Sequence, residues 1–497
     1  MAVHQTWLDR AIGFVSPPMA LQRQRARIAS MLLARHYEGA STGRRTQAWR
    51  RAATDANAAA GGMTLARLRD AARDLIRNNG YAESAAETIA THTVGDGIRA
   101  AAKHDAWRRW SESTDCDADG QNDLVGLQEL IMRAVVSDGE VLVRRRPRRI
   151  EDGLALPMQL QVIEADYLDT GKDTRLSNGH RVIQGVEYNG FGRRVAYWVF
   201  REHPGALLTS AGTLMSGSVS VPAREILHIY RKRRPGQVRG TSWYAPVLLT
   251  FKDFDELADA TLMKQKVAAC LSVITTDVDG DGVRLGAEPT DANGHSTGDS
   301  ATDAQLDVIG PGMVLNAPTG RDVTVIDPPS VTDYPAFSKV NLRAIGAGLG
   351  VPYEDLTGDY AGMPFSAARM SRLRHVVRVR RWQWQILVLQ FLQPTWRWAM
   401  EAAELAGEQG QTKTEWTAPP LPMVNPAEEV LADIRAVRAG QKTMSEVIRE
   451  RGYNADEFFA EYLADMKRLD ELGLVLDVDP RKVNQNGQLQ GDGRGAG

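Results

Sequence analysis

The sequence predicts an α+β chain assembled around more than one core, and three observations carry that prediction. At 497 residues the chain is well past the length at which a single hydrophobic core stops growing. Its apolar periodicity runs from helical spacing into strand-like alternation and back to helices in the last hundred residues. Hydrophobic residues at 43% and charged residues at 25% match globular averages, so the chain has the apolar content needed to fold.

The early chain, 20 to 110, reads as helical and basic. In "GGMTLARLRDAARDLIRNNG" Leu65, Leu68, Ala72, Leu75 and Ile76 share a helix face, arginines cover the other face, and Asn79-Gly80 is a stop signal. From Leu127 an amphipathic helix runs into "GEVLVRRR". After it "MQLQVIEADYLDT", "HRVIQGVEYN", "RRVAYWVF" and "EILHIYRK" alternate like strands between Gly and Asn turns. Residues 246–270 read as one helix, roughly 37 Å long at ~1.5 Å per residue. Short apolar runs, "LSVITT", "GMVLNAP" and "VTVIDPP", then bracket a polar stretch and predict a small β unit carrying a loop. A second helix, opened by Asp333 and Pro335, ends in the glycines of "GAGLGVP". A loop, "YEDLTGDYAGMPF", leads to a long helix that Pro394 is expected to kink.

Three helices close the sequence after a Pro-rich linker. Asn425 caps the first, with Pro426 at N1, Glu428 at N3 and Gly440 as stop. Thr443/Glu446 form a capping box for the second, which ends at Gly452; Asn454 pairs with Glu457 in the third, which ends at Gly473. The last residues, "NQNGQLQGDGRGAG", have the composition of a disordered tail.

Several function classes are excluded by what these residues are. No apolar run reaches about 18 residues and the N-terminus lacks a signal-peptide layout, so the expectation is a cytoplasmic protein with no membrane partner. Cys116 and Cys270 alone cannot make a disulfide framework or a cysteine zinc cluster. The only Gly-Lys pair, at 171–172, lacks a P-loop around it; "GAGLGVP" fails the dinucleotide fingerprint; and neither G-x-S-x-G nor H-E-x-x-H occurs. One motif does match a template: in "DVDGDGVRLGAE", Asp277, Asp279, Asp281, Gly282 and Glu288 fit a calcium loop. Arg284 stands where an apolar residue is the rule and Pro289 blocks the exiting helix, which favours an acidic solvated turn. The weaker echo "DCDADGQNDLVG" has Gly126 in place of the bidentate Glu and reads as a turn.

"RMSRLRHVVRVRRW" holds six arginines in fourteen positions. On a helix Arg374, Arg378 and Arg381 form one stripe continued by Gln385, while Arg369, Arg372 and Arg380 fall on another side. A phosphate-gripping helix would gather its cations, so this spread favours ion pairing between packed elements or subunits. Two other classes stay open: a metal-dependent nuclease using the Asp-rich loop, and a nonspecific DNA-binding adaptor using the arginine helix.

The order of these parts and eight strings resemble the lambda-type family of tailed-phage portal proteins. The strings are "RHYEGASTGRRTQAW" (35–49), "LRDAARDLIRNNGYA" (68–82) with "VGDGI" (94–98), "SDGEVLV" (137–143), "IEADYLDT" (163–170), "GVEYNGFGRRVAYWVFREHP" (185–204), "ILHIYRKRRPGQVRGTSWYAPVL" (226–248), "LGVPYEDLTGDYAGMPFSAAR" (349–369) and "RAGQKTMSEVIRERGYNADEFFAEYLADMKRLDELGL" (438–474).

The resemblance implies a portal fold: an α+β wing with the N-terminal region in 1–240, long stem helices in 241–270 and 333–350, a small β-containing clip with an acidic loop in 271–332, a tunnel loop in 351–366, a kinked wing helix and linker in 367–419, and a helical crown with tail in 420–497. It also implies a homo-oligomeric ring, usually of twelve subunits, at one vertex of the virion capsid, assembled in host cytoplasm, through which double-stranded DNA is packaged and ejected. Its partners would be the terminase large subunit, the major capsid protein and head-completion or adaptor proteins, with no catalytic residue and no cofactor. Channel-lining candidates are Asp253, Glu256, Lys264 and Lys266 of the stem and Asp359 and Tyr360 of the loop. Arg374, Arg378 and Arg381 are expected to pair with carboxylates within or between subunits.

Overall fold

The computed structural model describes residues 55–206, 217–270, 274–275, 315–316, 334–411, 413–420, 422–423, 425–474 and 476. The chain divides into two units, Met1–Ala59 and Ala60–Gly497; in the first, one helical turn over Ala56–Ala59 is described. The second unit mixes helix and sheet as expected. The calcium-like loop, Asp277 through Glu288, and the tail lie outside the described residues.

Helices α1 (Gly62–Asn78) and α2 (Gly80–Val94) meet at Asn79, which is both stop and start: its N–H donates to the Leu75 carbonyl at 2.9 Å and its side chain accepts from the Ala82 N–H at 3.0 Å. Leu65 and Ala72 are buried, with Leu75 and Ile76 packed against the core. The arginine face of α1 is not all solvent. Arg69 is buried against Asp166 at 2.9 Å, and Arg73 reaches both Asp138 and Asp166, because an arginine fork can satisfy carboxylates that desolvation would otherwise penalise.

A two-residue strand β1 (Arg99–Ala100) precedes α3 (Asp105–Ser111) and α4 (Leu124–Ser137), the latter capped by Asp123 on the Gly126 N–H at 2.8 Å. Between these helices the acidic echo is a turn, as its sequence implied. Asp117 is buried and spends its carboxylate on the N–H groups of Asp119, Gln121 and Asn122.

Strand β2 (Glu140–Pro147) then pairs antiparallel with β3 (Met158–Glu164). A five-stranded antiparallel meander follows in sequence order: β4 (Thr174–Arg175), β5 (Arg181–Ile183), β6 (Val186–Tyr188), β7 (Arg194–Val199) and β8 (Val219–Pro222). Strand β9 (Ile226–Tyr230) returns to the other edge of β2, so Val143 lies between Val162 and Leu227. Leu142, Ile163, Val186, Tyr197 and Val221 form a small apolar cluster of their own, beside the main core.

Helix α5 (Leu248–Cys270) starts two residues later than its sequence suggests, because 243–247 are wound as a turn. Strands β10 (Ile274–Thr275) and β11 (Leu315–Asn316) pair in parallel, between α5 and α6 (Tyr334–Leu349). Helix α6 ends within "GAGLGVP", as its sequence suggested, after running through Gly346 and Gly348. A Cβ on Gly348 would stand 2.4 Å from Val247 Cγ1, so glycine is what lets α6 close on the base of α5; the helix stops only at Gly350, where φ is +88°.

A short helix α7 (Tyr353–Thr357) leads into α8 (Phe365–Trp382), a π-helical stretch Gln383–Leu392, and α9 (Gln393–Leu405). The expected kink at Pro394 is a ten-residue rewinding before it. Proline has no N–H for the carbonyl one turn back, and wider i→i+5 bonding absorbs the loss: the Gln393 N–H donates to Val388. Strand β12 (Trp416–Thr417) pairs with β1 across more than 300 residues.

The final helices are α10 (Pro426–Arg438), α11 (Met444–Glu450) and α12 (Ala455–Leu472), with Asn425, Thr443 and Asn454 as caps. Asn454 accepts from the Asp456 N–H at 3.0 Å, one residue before the Glu457 that the sequence pointed to.

Candidate functional site

The arginine-bearing helix α8 has two unlike faces. Its inner face buries His375, Val379 and Trp382. Its outer face presents Met370, Leu373, Val377 and, two turns on, Trp384, between 47% and 69% exposed and aligned along one side of the helix. Solvent-facing apolar groups at this spacing mark a surface that meets something.

Cations flank the stripe. Arg369 lies 3.7 Å from Glu428 and Arg372 donates to the Pro422 carbonyl at 2.6 Å. For Arg374, Arg378 and Arg381 the chain offers no carboxylate within salt-bridge reach among the described residues. Arg381 donates to Gln385 at 3.1 Å, one helical turn away, and Arg378 packs along Gly350. They sit instead beside more arginine. Burial first, then the charges of Arg233, Arg381 and Arg378, hold Arg231 below its ordinary pKa. Arg231 is steadied over the Trp243 ring, 4.9 Å from its centroid, and that ring packs on Trp382. Any carboxylates that take these arginines, of the same subunit or of a neighbour, lie beyond the described residues. The stripe faces outward beside "YRKRR", where the sequence supplies no acid.

Asp359 and Tyr360 lie in the turn after α7. Asp359 accepts from Lys339 of α6 and from the Tyr353 hydroxyl, both at 3.0 Å, and the Lys339 hydrogen bond holds its carboxyl below the usual range. Tyr360 is exposed and donates to Asp355 at 3.2 Å. On α5, Asp253 and Glu256 are exposed, with Glu256 paired to Lys252 at 3.6 Å; Lys264 is half-buried and Lys266 exposed. At ~100° per residue Asp253 and Lys264 fall within about 20° of one another and Glu256 about 60° away, whereas Lys266 lies about 140° off. Helix geometry thus gathers three of the four stem candidates.

The residues that hold this region rigid were not singled out from sequence. Glu140, on β2, is fully buried and receives Arg239 Nε at 2.8 and 3.0 Å, His228 Nε2 at 2.8 Å and the Gly240 N–H at 2.7 Å. Burial alone would raise its pKa; Arg239 and then His228 overcome this and hold the carboxyl well below the usual range. Burial pushes His228 down to about 4, so the imidazole stays neutral and donates through Nε2. A Cβ on Gly240 would meet the Gly139 carbonyl at 2.1 Å, so the two backbones touch here and only glycine fits. The readable signal was the pair of strings "DGEV" and "VRGT", in each of which a charged residue adjoins a glycine.

A family model described as phage portal protein, lambda family, matches residues 42–383. The chain belongs to that family. It is 27% identical over 438 residues to the "Probable portal protein" of Halomonas phage phiHAP-1, covering 82% of this chain and 81% of that one. To portal protein B of Escherichia phage lambda it is 24% identical over 341 residues, 60% of this chain and 62% of the relative; to the portal protein of Escherichia phage N15, 22% over 458 residues, 81% and 84%. Among solved structures, a chain from the neck of an empty gene transfer agent particle aligns with 80% of this chain and 97% of its own length, at 17% identity and a TM-score of 0.44. Lambda-family portal proteins are structural parts of the phage particle and not enzymes. Among the described residues no helix is long and apolar enough to cross a membrane.

Proposed function

We propose that this portal protein assembles as a ring of copies of itself, twelve in the family's usual form, at one capsid vertex of a virion put together in host cytoplasm, and that double-stranded DNA enters and leaves through its centre. The observation that carries the reading is the outer face of α8. An apolar stripe with arginines that meet no acid among the described residues is the surface a neighbouring subunit would cover, its carboxylates taking Arg374, Arg378 and Arg381. DNA sliding argues for the same arrangement, since arginines of many subunits aimed at phosphates would brake the duplex. The channel wall then falls to the face of α5 bearing Asp253, Glu256 and Lys264, with Lys266 turned away from it, and to the turn with Asp359 and Tyr360. The residues 271–332, with their acidic loop, suit docking of the terminase large subunit; the major capsid protein and head-completion proteins complete the partners, without a cofactor or membrane.

Electron microscopy and mass measurement of the purified full-length protein test this. Closed rings are the expected result. A chain that stays monomeric at high concentration, under every condition tried for assembly, would sink the reading. Duplex binding by the monomer with a steep salt slope would favour the adaptor, and magnesium-dependent cleavage lost on replacing Asp279 and Asp281 would favour the nuclease.

A further inference from the structure

Away from these surfaces, two histidines meet where three elements join. His92, near the end of α2, and His375, on the inner face of α8, place Nδ1 and Nε2 2.9 Å apart, their ring centroids separated by 5.1 Å. Asp355, on α7, brings a carboxylate oxygen to the same place, so that one ligand atom from each residue lies within 4.8 Å of the others. His375 is 2% exposed and its Nδ1 has no hydrogen-bond partner; its ring rests edge-on against Trp382. Packing, His92 and the adjoining Gly350 backbone position that ring. Burial lowers the pKa of both imidazoles, that of His375 to about 4, which keeps both uncharged at neutral pH. A neutral imidazole keeps one lone pair, and the tautomers with the proton on His92 Nε2 and His375 Nδ1 turn both lone pairs into the space shared with Asp355.

We propose that His92, His375 and Asp355 form a site for a divalent d-block cation, zinc for preference, that ties α2 to the base of the loop 358–364. Two neutral imidazoles and one carboxylate are a three-ligand set with a fourth position left for water, and nitrogen donors select zinc and its neighbours over calcium or magnesium. Tetrahedral zinc with bonds of ~2.0–2.1 Å wants its two nitrogens about 3.3 Å apart, so the nitrogens must part by about 0.4 Å and the two rings, which face each other almost head-on, must tilt toward Asp355. The outer shell is in place: the Tyr360 hydroxyl donates to Asp355 Oδ1 at 3.2 Å, as ligating carboxylates are commonly held. The backbone around Asp355 is likewise pinned to α2, by Ser84 on the Leu356 carbonyl at 3.0 Å and Thr88 on the Asp355 carbonyl at 3.4 Å. Glu164, Asp166 and His203 make a comparable cluster, but Arg69 and Arg73 already neutralise its acids. At the proposed site the opposing charges are Arg372, which weighs on His92, and Arg378, which weighs on His375.

The inference stands apart from ring formation and DNA passage, and its test reads metal directly. Chelator-stripped full-length protein is titrated with zinc ion, and zinc per chain, affinity and thermal midpoint are recorded. Wild type should take up one zinc per chain in this site and melt higher with it. Asp355→Asn and His92→Gln, both at half-buried positions, should weaken that binding at least ~10-fold while melting like wild type in the absence of zinc. Arg372→Gln should tighten it by removing a repelling charge, and His180→Gln, remote from the site, should leave it unchanged. Cobalt ion in place of zinc should give the intense visible bands of a four-coordinate centre, lost in the His375→Ala variant. The proposal is overturned if wild type takes up no zinc, or if Asp355→Asn and His92→Gln bind it as wild type does.

Discussion

Replacing Glu140 by Gln removes one charge from the most buried ion pair in the fold and leaves the rest of the side chain's shape alone. Four hydrogen bonds converge on the carboxylate, three of them on Oε2, from Arg239 Nε, His228 Nε2 and the Gly240 N–H. An amide cannot serve all of these donors. With its nitrogen at the Oε2 position it faces three of them; with its nitrogen at the Oε1 position it faces the arginine. Arg239, 1% exposed, then keeps only the Gln184 and Ala165 carbonyls, at 3.1 and 3.4 Å, and a buried cation without its counter-charge. One unsatisfied buried donor costs about 1–3 kcal/mol and a broken buried ion pair about 3–5 kcal/mol, so the expected loss is about 3–5 kcal/mol, which for a unit of this size is a fall of the melting midpoint of roughly 3–5 °C. Thermal unfolding followed by circular dichroism measures it, beside Arg239→Met and the double variant. The double variant should melt above the sum of the two single effects, since it no longer buries a lone charge. A Glu140→Gln protein melting within about 2 °C of wild type would refute this account of the joint between β2, β9 and the meander.

Four further outcomes are expected. Arg378→Ala with Arg381→Ala should weaken ring assembly or lower the melting midpoint and leave the salt slope of any residual DNA binding unchanged; normal rings with a shallower slope would mean that the stripe faces DNA. Gly348→Ala should cost about 1–3 kcal/mol in thermal unfolding through the clash with Val247, whereas Gly190→Ala, with open space around it, should cost little; equal effects would dispose of the close-packing argument. Because the folded pKa of His228 is lowered to about 4, the unfolded chain binds a proton that the native one refuses. Its contribution is thus complete above about pH 6.5 and is lost as pH falls toward 4, by at most ~3 kcal/mol; melting curves across that range should flatten for His228→Gln, and an unchanged slope would locate the effect elsewhere among Glu140, Arg194, Arg239 and the other groups facing the ring. Deleting 280–300, within a segment of seven Asp and one Glu against Arg284, should leave rings intact by electron microscopy; loss of the ring would make the loop structural.

The sequence by itself determined every element whose signal is local. Asn425, Thr443 and Asn454 cap helices because an Asx or Thr side chain satisfies N–H groups two or three residues away, and Asn79 both ends one helix and begins the next for the same reason. Alternation in "MQLQV" was enough to give a strand, whereas "EVLV", buried at all four positions, has no alternation to read and by sequence reads as the end of the preceding helix; the eight strings gave the family. What only the tertiary structure decided depends on partners distant in sequence. The pairing of β1 with β12, the inward turn of Arg69 and Arg73 toward Asp138 and Asp166, and the burial of Glu140 against Arg239 each join residues from 65 to more than 300 positions apart. No periodicity encodes which acid an arginine will meet. The same limit explains the rewinding of 383–392 ahead of Pro394 and the passage of α6 through Gly346 and Gly348. Proline and glycine state locally only that ordinary helix geometry is costly there; whether it breaks, widens or continues is set by what packs alongside, here Val247 against Gly348 and the carbonyls of Thr93 and Pro419 against Gln383.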